Sequence, residues 1–273
     1  MKYTLAAFAD EASPLLKNQI KAMKENGVSA LEIRGVDGEN VADISKEKAK
    51  EIIKRLKDEG LYVWSIGSPY GKIGLNDDFS HHLDKFKRTL EICDILETKH
   101  IRLFSFYGAE NRFDDVCERL EKFVTAADGT GILLCHENEK GIYGDIASRC
   151  LEIHKTFPQI KAIFDPANFI QSGQDTVKAW DMLGSYVEYM HIKDALLDGS
   201  VVPAGRGEGN IPYILSKYKG KVLTVEPHLS VFDGLDKLEA GEKSKIFPYT
   251  YGSPAEAFKA AVDAIKDIVE NMP

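Results

Sequence analysis

The sequence predicts one (β/α)8 barrel, an α/β TIM barrel fold in a single domain over residues 1–273. Short apolar runs alternate with longer amphipathic runs eight times, and successive apolar runs begin about one βα unit apart. Alternation of this kind indicates a parallel sheet covered by helices. A length of 273 residues is ordinary for one such barrel. Eight repeats favour closure into a barrel over an open, doubly wound sheet.

Each predicted strand is a short apolar run bounded by polar or turn residues. The eight strands are Thr4–Phe8, Ala30–Arg34, Tyr62–Ile66, Ile101–Phe106, Ile132–Glu137, Ile160–Asp165, Val187–Ile192 and Val222–Glu226. An open sheet that binds dinucleotides would need a glycine-rich turn after its first strand. The residues at that point are Ala9, Asp10 and Glu11, so this alternative is disfavoured.

The predicted helices fill the gaps and carry recognisable end signals. They are Ser13–Glu25, Lys46–Glu59, His81–Leu96, Asp114–Asp128, Asp145–Phe157, Thr176–Leu183, Ile211–Tyr218 and Pro254–Val269. Ser13, Ser45 and Ser253 are expected N-caps, and Gly60 suits a left-handed stop. The segment from 227 to 252 is too long for an ordinary connection. It is either a packed surface loop or a lid or dimer contact.

Composition narrows the class of protein. A net charge of −8 disfavours nucleic acid and anionic membrane surfaces as partners. The four cysteines form no C-x-x-C pair and are expected to be buried free thiols, which fits a reducing cytosol. The N-terminus does not resemble a signal peptide, and no stretch is long enough to span a bilayer. We therefore expect a cytoplasmic protein, and the sequence is compatible with a homodimer.

The last four predicted strands all end in residues of metal-binding type. Glu137 ends the fifth, Asp165 the sixth and Glu226 the eighth, and His191 lies near the end of the seventh. Any one of them alone is typical of an ordinary strand end, an Asx turn or a core histidine. Because the C-terminal ends of barrel strands face the active site, four in succession indicate a shared site.

These side chains are chemically suited to a divalent metal ion. Three carboxylates facing one another would repel and raise each other's pKa values, and a divalent cation relieves that repulsion. Three carboxylates and one imidazole form a hard, oxygen-rich set. Mn²⁺ is the favoured ion, with Mg²⁺, Co²⁺ or Zn²⁺ as alternatives.

Five strings in this order resemble the xylose isomerase-like TIM barrel superfamily, particularly its sugar-phosphate isomerase and epimerase branch. They are HENEKGIYGD, FDPANF, HIKDA, PAGRGEGNI and TVEPH. The resemblance implies that Glu137, Asp165, His191 and Glu226 hold the metal and that the two glutamates serve as acid and base. The family often has a substrate-binding His where this chain has Asn168, an amide that cannot take up a proton at neutral pH.

Further candidate residues surround this set. The resemblance implies that the positions of Asn168 and Arg206 contact the substrate, with Gly205 and Gly207 allowing close approach of the backbone, and Lys193 is a further candidate substrate residue. Lys193 and Asp194 can instead form outer hydrogen bonds to the ligands or a strand-end ion pair. Strand alternation predicts that His136 and His228 point away from the site. Glu32 ends the second strand near the pocket, with no assigned role.

The expected activity is isomerisation or epimerisation of a small sugar, sugar phosphate or polyol. A proton next to a carbonyl would be abstracted by Glu137 or Glu226, through an enediolate stabilised by the metal. An inosose-type dehydratase on the same fold begins with the same step. A non-catalytic sugar-binding barrel is a further alternative. Endonuclease IV-like DNA repair is disfavoured by the acidic balance and by only seven histidines.

Overall fold

The computed structural model describes residues 2–231 and 248–272, and its centre is a closed barrel of eight parallel strands. In chain order the barrel strands are Thr4–Ala7, Ala30–Ile33, Tyr62–Ile66, His100–Leu103, Leu133–Glu137, Lys161–Phe164, Val187–Ile192 and Val222–Val225. Each strand pairs with the next along the chain, and the eighth closes on the first. In that last pairing Thr4 lies opposite Val222 and Ala7 opposite Val225. The predicted barrel is confirmed.

Helices cover the outside of the barrel between successive strands. Their bounds are Leu16–Glu25, Lys46–Asp58, Phe79–Ile95, Phe113–Ala127, Ala147–Thr156, Pro166–Gln171, Thr176–Leu183, Ile211–Lys217 and Pro254–Glu270. The helix Pro166–Gln171 was not predicted. It begins because Asp165 accepts a hydrogen bond from the Asn168 backbone N–H and Pro166 occupies the first helical position.

The end signals read from the sequence are right at three positions and wrong at one. Ser45 and Ser253 accept hydrogen bonds from the third residue of their helices, and Gly60 has a φ of +74°. Ser13 does not cap the first helix, which begins three residues later at Leu16. The cap comes from a distant loop instead, because the Asp37 carboxylate accepts the Leu16 N–H at 2.9 Å.

Most predicted strands extend one to three residues too far at their C-terminal ends. The fourth, predicted to reach Phe106, ends at Leu103. The Phe104 and Phe106 N–H groups donate to the carbonyls of Tyr70 and Gly71 rather than to a neighbouring strand. The chain therefore leaves the sheet at the barrel rim, where side chains turn toward the central opening.

The inside of the barrel is layered. Its lower layer is an apolar cluster of Ala6, Ala30, Cys135, Ile163, Tyr189 and Val222. Side chains alternate along a strand, so residues two or four positions further on face the same interior. By this rule Ala30 is followed by Glu32 and Arg34, and Tyr189 by His191 and Lys193. The apolar layer is therefore a floor beneath a layer of charged groups.

The cysteines and the absence of a predicted membrane span can be compared with the described part of the structure. Cys93, Cys135 and Cys150 are buried free thiols and Cys117 is half-buried, as expected of a chain without disulfides. No helix in the described part of the chain is both long and apolar enough to cross a membrane. The proposed lid or dimer segment, 227–252, includes residues 232–247, which lie outside the described residues.

Candidate metal centre

Four predicted ligands converge at the C-terminal rim of the barrel. The side chains of Glu137, Asp165, His191 and Glu226 are buried, with residue exposures of 3% or less. One potential ligand atom from each lies within 4.8 Å of the other three. The four residues meet because the C-terminal ends of four strands lie at one rim. Their ligand atoms are close enough together to hold a metal ion.

Asp165 is fixed by its local backbone. The Asn138 side chain donates to the C=O of Asp165 and accepts from its N–H, each at 2.9 Å. The Asn168 N–H donates to Asp165 Oδ1. Among the described residues Oδ2 has no hydrogen-bonded donor, although the Lys193 ammonium lies 3.0 Å away. Burial raises the pKa of Asp165 to about 7 despite the opposing charge of Lys193. One buried acceptor atom is thus directed into the group.

His191 lies between carboxylates on both sides. Its Nδ1 is 2.9 Å from Glu137 Oε1 and 3.6 Å from Glu226 Oε2. Its Nε2 is 3.0 Å from an oxygen of Glu32, a carboxylate behind the ligand group. Burial lowers the pKa of His191, but Glu137 and Glu32 outweigh it and raise the value to about 10.

Three permanently charged cations donate to the carboxylate oxygens of the two glutamates. Arg102 Nη1 donates to Glu137 Oε2 at 3.0 Å. Arg34 Nη1 donates to Glu226 Oε1 at 3.3 Å, and Lys193 Nζ donates to Glu226 Oε2 at 3.0 Å. Burial would raise the pKa of Glu137, but His191 and Arg102 lower it to about 2. Both glutamates are therefore held as ionised carboxylates.

The buried charges around the group do not balance. Among the described residues, six buried carboxylates surround the group against three permanent cations and the His191 imidazolium: Asp10, Glu11, Glu32, Glu137, Asp165 and Glu226 against Arg34, Arg102, Lys193 and His191. Excess negative charge in a buried site is costly. A divalent cation would offset much of it, and carboxylate oxygens with one imidazole suit such an ion. The donor set therefore fits a divalent metal.

Two of the three predicted substrate residues lie at this group. Asn168 Nδ2 is 3.3 Å from Glu137 Oε1, and Lys193 contacts Asp165 and Glu226. Arg206 is placed elsewhere. It is exposed and lines a surface groove with the last helix, Pro254–Glu270.

The glycine-rich loop that carries Arg206 is wrapped around Asp194. The Asp194 carboxylate accepts four backbone N–H groups, from Ala195, Gly205, Gly207 and Gly209, at 2.8–3.1 Å. A β-carbon at Gly207 would lie 2.3 Å from the Ala195 carbonyl oxygen, so only glycine fits there. The glycines therefore allow close approach to a carboxylate of the same chain.

We expect Asp194→Asn to destabilise the protein by about 2–4 kcal/mol, because an amide has one acceptor oxygen and leaves two backbone donors facing its NH₂ group. The free energy of unfolding, measured by urea denaturation, checks this. The matched control is Asp198→Asn, whose exposed carboxylate accepts from the Ser200 N–H and hydroxyl on one oxygen that asparagine retains, so its replacement should leave stability unchanged. Equal stability of Asp194→Asn and wild type would contradict the account of the loop.

The two flanking histidines behave differently from each other. His136 points away from the group, as predicted, and its Nε2 lies 2.9 Å from Ser105 Oγ. His228 was also predicted to point away, but its Nε2 lies 3.5 Å from Glu226 Oε1 and 3.3 Å from Glu11 Oε1. The prediction for His228 is wrong because alternation places a residue two positions after Glu226 on the same side as Glu226, and only the adjacent residue on the opposite side.

Sequence reasoning missed the cations Arg34 and Arg102 and the two acids beside Arg34. Arg34 donates to Asp10 at 2.8 Å and to Glu11 at 3.0 Å, besides its contact with Glu226. Glu11, Glu226 and His228 form a second potential ligand group, and Arg34 already supplies positive charge there. The available signal was alternation, because Arg34 lies two residues after Glu32.

The comparisons with known proteins agree with the geometry. The family model described as "Xylose isomerase-like TIM barrel" matches residues 20–227. No curated protein sequence matches the chain.

Three solved structures share this fold along nearly their whole length. An L-ribulose 3-epimerase has a TM-score of 0.74 at 18% identity, covering 100% of this chain and 96% of its own. The probable 3-DHS dehydratase AsbF, involved in petrobactin synthesis in Bacillus anthracis, has a TM-score of 0.73 at 18% identity, with coverages of 97% and 99%. The IOLI protein with a bound zinc atom scores 0.73 at 15% identity, with 99% of each chain covered. At these identities the likeness shows the fold alone.

Proposed function

Because the chain belongs to the xylose isomerase-like TIM barrel family, we propose that it is a divalent-metal-dependent isomerase or epimerase of a small sugar, sugar phosphate or polyol. One observation carries the proposal: ligand atoms of Glu137, Asp165, His191 and Glu226 lie within 4.8 Å of one another at the rim of the barrel. The catalytic face of this fold is that rim. Epimerases among its structural neighbours support the reaction class.

The four residues would hold one ion, with Mn²⁺ favoured by the oxygen-rich set and Mg²⁺, Co²⁺ or Zn²⁺ as alternatives. When bound, such an ion supplies Lewis acidity, which makes a C–H next to a carbonyl more acidic. Asp165 and His191 have no further assigned task and would serve as ligands.

Glu137 and Glu226 would move the proton. Each has one oxygen toward His191 Nδ1, so both border the space that the four ligand atoms surround. Their other oxygens are held by Arg102 and Arg34 respectively, which fixes the carboxylates in orientation. Removal by one and return by the other at the same carbon gives epimerisation, and return at the neighbouring carbon gives isomerisation. Carboxylates with lowered pKa values are weak bases, so C–H activation must come mainly from the ion.

Lys193 and Asn168 would orient the substrate. The Lys193 ammonium lies at the group with protons to donate, and the Asn168 amide lies beside Glu137 Oε1. Hydrogen bonds to substrate oxygens would set which carbon faces a glutamate. Arg206 is not part of this proposal, because it lies in the groove beside the last helix.

A dehydratase is the second candidate, and the position of Lys193 is the observation that favours it. Dehydration needs a base for the C–H and an acid for the departing hydroxyl. Lys193 Nζ, 3.0 Å from the Glu226 carboxylate, places an acid beside a base. In place of a histidine this chain has Asn168, whose amide cannot return a proton.

The first test is metal content together with proton exchange. Elemental analysis of wild type should find one divalent ion per chain, and His191→Ala should lose it. Wild type incubated in D₂O with ketoses and inososes should show ion-dependent exchange of the α-proton by NMR. Isomers that differ in mass from the substrate only by the incorporated deuterium identify an isomerase or epimerase, and products lacking one water identify a dehydratase. Ion binding without exchange on any substrate would favour a sugar-binding barrel, and no binding after Mn²⁺ reconstitution would overturn the proposal.

A further inference from the structure

A buried chain of hydrogen bonds lies directly behind the candidate ligand His191. The Ser65 and Tyr189 hydroxyls are 3.1 Å apart, and Tyr189 donates to Glu32 Oε1 at 2.9 Å. Glu32 Oε2 lies 3.0 Å from His191 Nε2. All four residues are at most 1% exposed. They come from three different barrel strands, so the position of each depends on barrel closure.

The hydrogen-bonding capacity of these groups determines where the protons are. The Tyr189 hydroxyl donates to Glu32 Oε1, and Glu32 Oε2 lies 3.0 Å from His191 Nε2, where it accepts the Nε2–H. Both oxygens of Glu32 are thus occupied by groups of the protein, which leaves Glu32 no free oxygen for a substrate. His191 Nδ1 is the ring nitrogen that faces Glu137 and Glu226.

We propose that Glu32 is a positioning residue for the ion site, fixing the ring and tautomer of His191 so that Nδ1 is presented to a divalent ion. This inference rests on the proposed function, since it takes the ligand group to hold an ion. Carboxylates behind metal-binding histidines orient the ring and increase its basicity, and their loss costs about 10- to 100-fold in metal affinity. Ser65 and Tyr189 would hold Glu32 in its rotamer.

Two variants separate the charge of Glu32 from its hydrogen bonds. In Glu32→Gln the amide oxygen can accept from His191 Nε2, and the amide NH₂ can donate to Tyr189, whose hydroxyl then donates to Ser65. Glu32→Gln therefore preserves the tautomer and removes only the charge. Glu32→Ala removes both. The matched control is Glu188→Gln, which removes the carboxylate beside His100 at 3.3 Å, outside the ligand group.

The experiment is a competition titration of Zn²⁺ against a fluorescent chelator, with ¹⁵N NMR of the imidazole nitrogens. Zn²⁺ affinity should fall about 10- to 100-fold in Glu32→Ala, by less in Glu32→Gln, and not at all in Glu188→Gln. The Zn²⁺-loaded wild type should show a protonated Nε2 on His191, assigned by comparison with His191→Gln. Circular dichroism confirms that each variant folds, and Glu32→Gln carries the test if Glu32→Ala does not.

Unchanged affinity in the folded Glu32 variants, or a proton on Nδ1 instead of Nε2 in the loaded protein, would overturn the inference. If wild type binds no divalent ion, the proposed function fails separately. The metal-free NMR spectrum then decides the role of Glu32. An Nε2–H resonance present in wild type and lost in Glu32→Ala supports positioning, and a resonance that persists in Glu32→Ala overturns it.

Discussion

Glu137→Gln is expected to lower ion-dependent turnover by about 10²- to 10⁴-fold, the range contributed by a positioned general base. The amide keeps the shape of the side chain but can neither take up the substrate proton nor serve as an anionic ligand. Its Oε2 partner, Arg102, would also lose its counter-charge at 3.0 Å. Ion affinity should therefore fall together with turnover, and the two are separated by assaying at saturating Mn²⁺.

The control for this variant lies two residues along the chain. Glu139→Gln removes a carboxylate of the same type that pairs with Lys72 at 2.7 Å, and Glu139 does not belong to either potential ligand group. It should retain turnover and ion affinity. Wild-type turnover in Glu137→Gln at saturating ion would exclude Glu137 from proton transfer and leave Glu226 as the base.

Arg102→Leu is expected to destabilise the metal-free protein by about 3–5 kcal/mol, the cost of leaving one member of a buried ion pair without its partner. The guanidinium is 3% exposed and also donates to the Ser68 and Gly67 carbonyls. Leucine fills part of the space but satisfies none of these acceptors. Urea denaturation at neutral pH gives the free energy of unfolding.

The difference in free energy of unfolding between wild type and Arg102→Leu should depend on pH in a defined direction. The pKa of Glu137 is about 2 in the folded protein, below the ordinary value of 4.5, so its stabilising contribution is present above pH 4.5 and is lost as the pH falls toward 2. The gap between wild type and Arg102→Leu should therefore narrow in acid. An exposed pair provides the contrast, because Lys122→Ala, which loses its partner Glu118, should cost less than about 1 kcal/mol. Equal effects of the two substitutions would contradict the buried-pair account.

The barrel and its candidate ligands were accessible from sequence because both depend on local patterns. Apolar runs of one strand length located all eight strands, and Tyr62–Ile66 and Val187–Ile192 were right to the residue. The polar residue closing each late strand identified Glu137, Asp165 and Glu226. The C-terminal ends of parallel barrel strands all lie at one rim, so residues far apart in sequence could be predicted to meet there.

The remaining features depend on which distant groups come into contact, and no local pattern encodes that. The first helix begins at Leu16 because Asp37, in a loop 21 residues away, caps it. Arg206 was expected to contact the substrate from the family resemblance, with its flanking glycines allowing close approach, but those glycines pack around Asp194. The cations behind the site were detectable in part, since Arg34 is a charged residue at an inward position of the second predicted strand.

The barrel closes by pairing its first strand with its eighth, so the order of synthesis affects when the ligand group can form. Arg34 and its partner Glu226 are 192 residues apart, and Glu226 follows the eighth strand. On the ribosome, Asp10, Glu11 and Arg34 emerge early, but the ring cannot close until the chain reaches its final quarter. Long-range closure of this kind is slow, and an incomplete sheet exposes unpaired strand edges. A chain that stops before Glu226 therefore lacks a complete ligand group, so binding of an ion would require synthesis through the eighth strand.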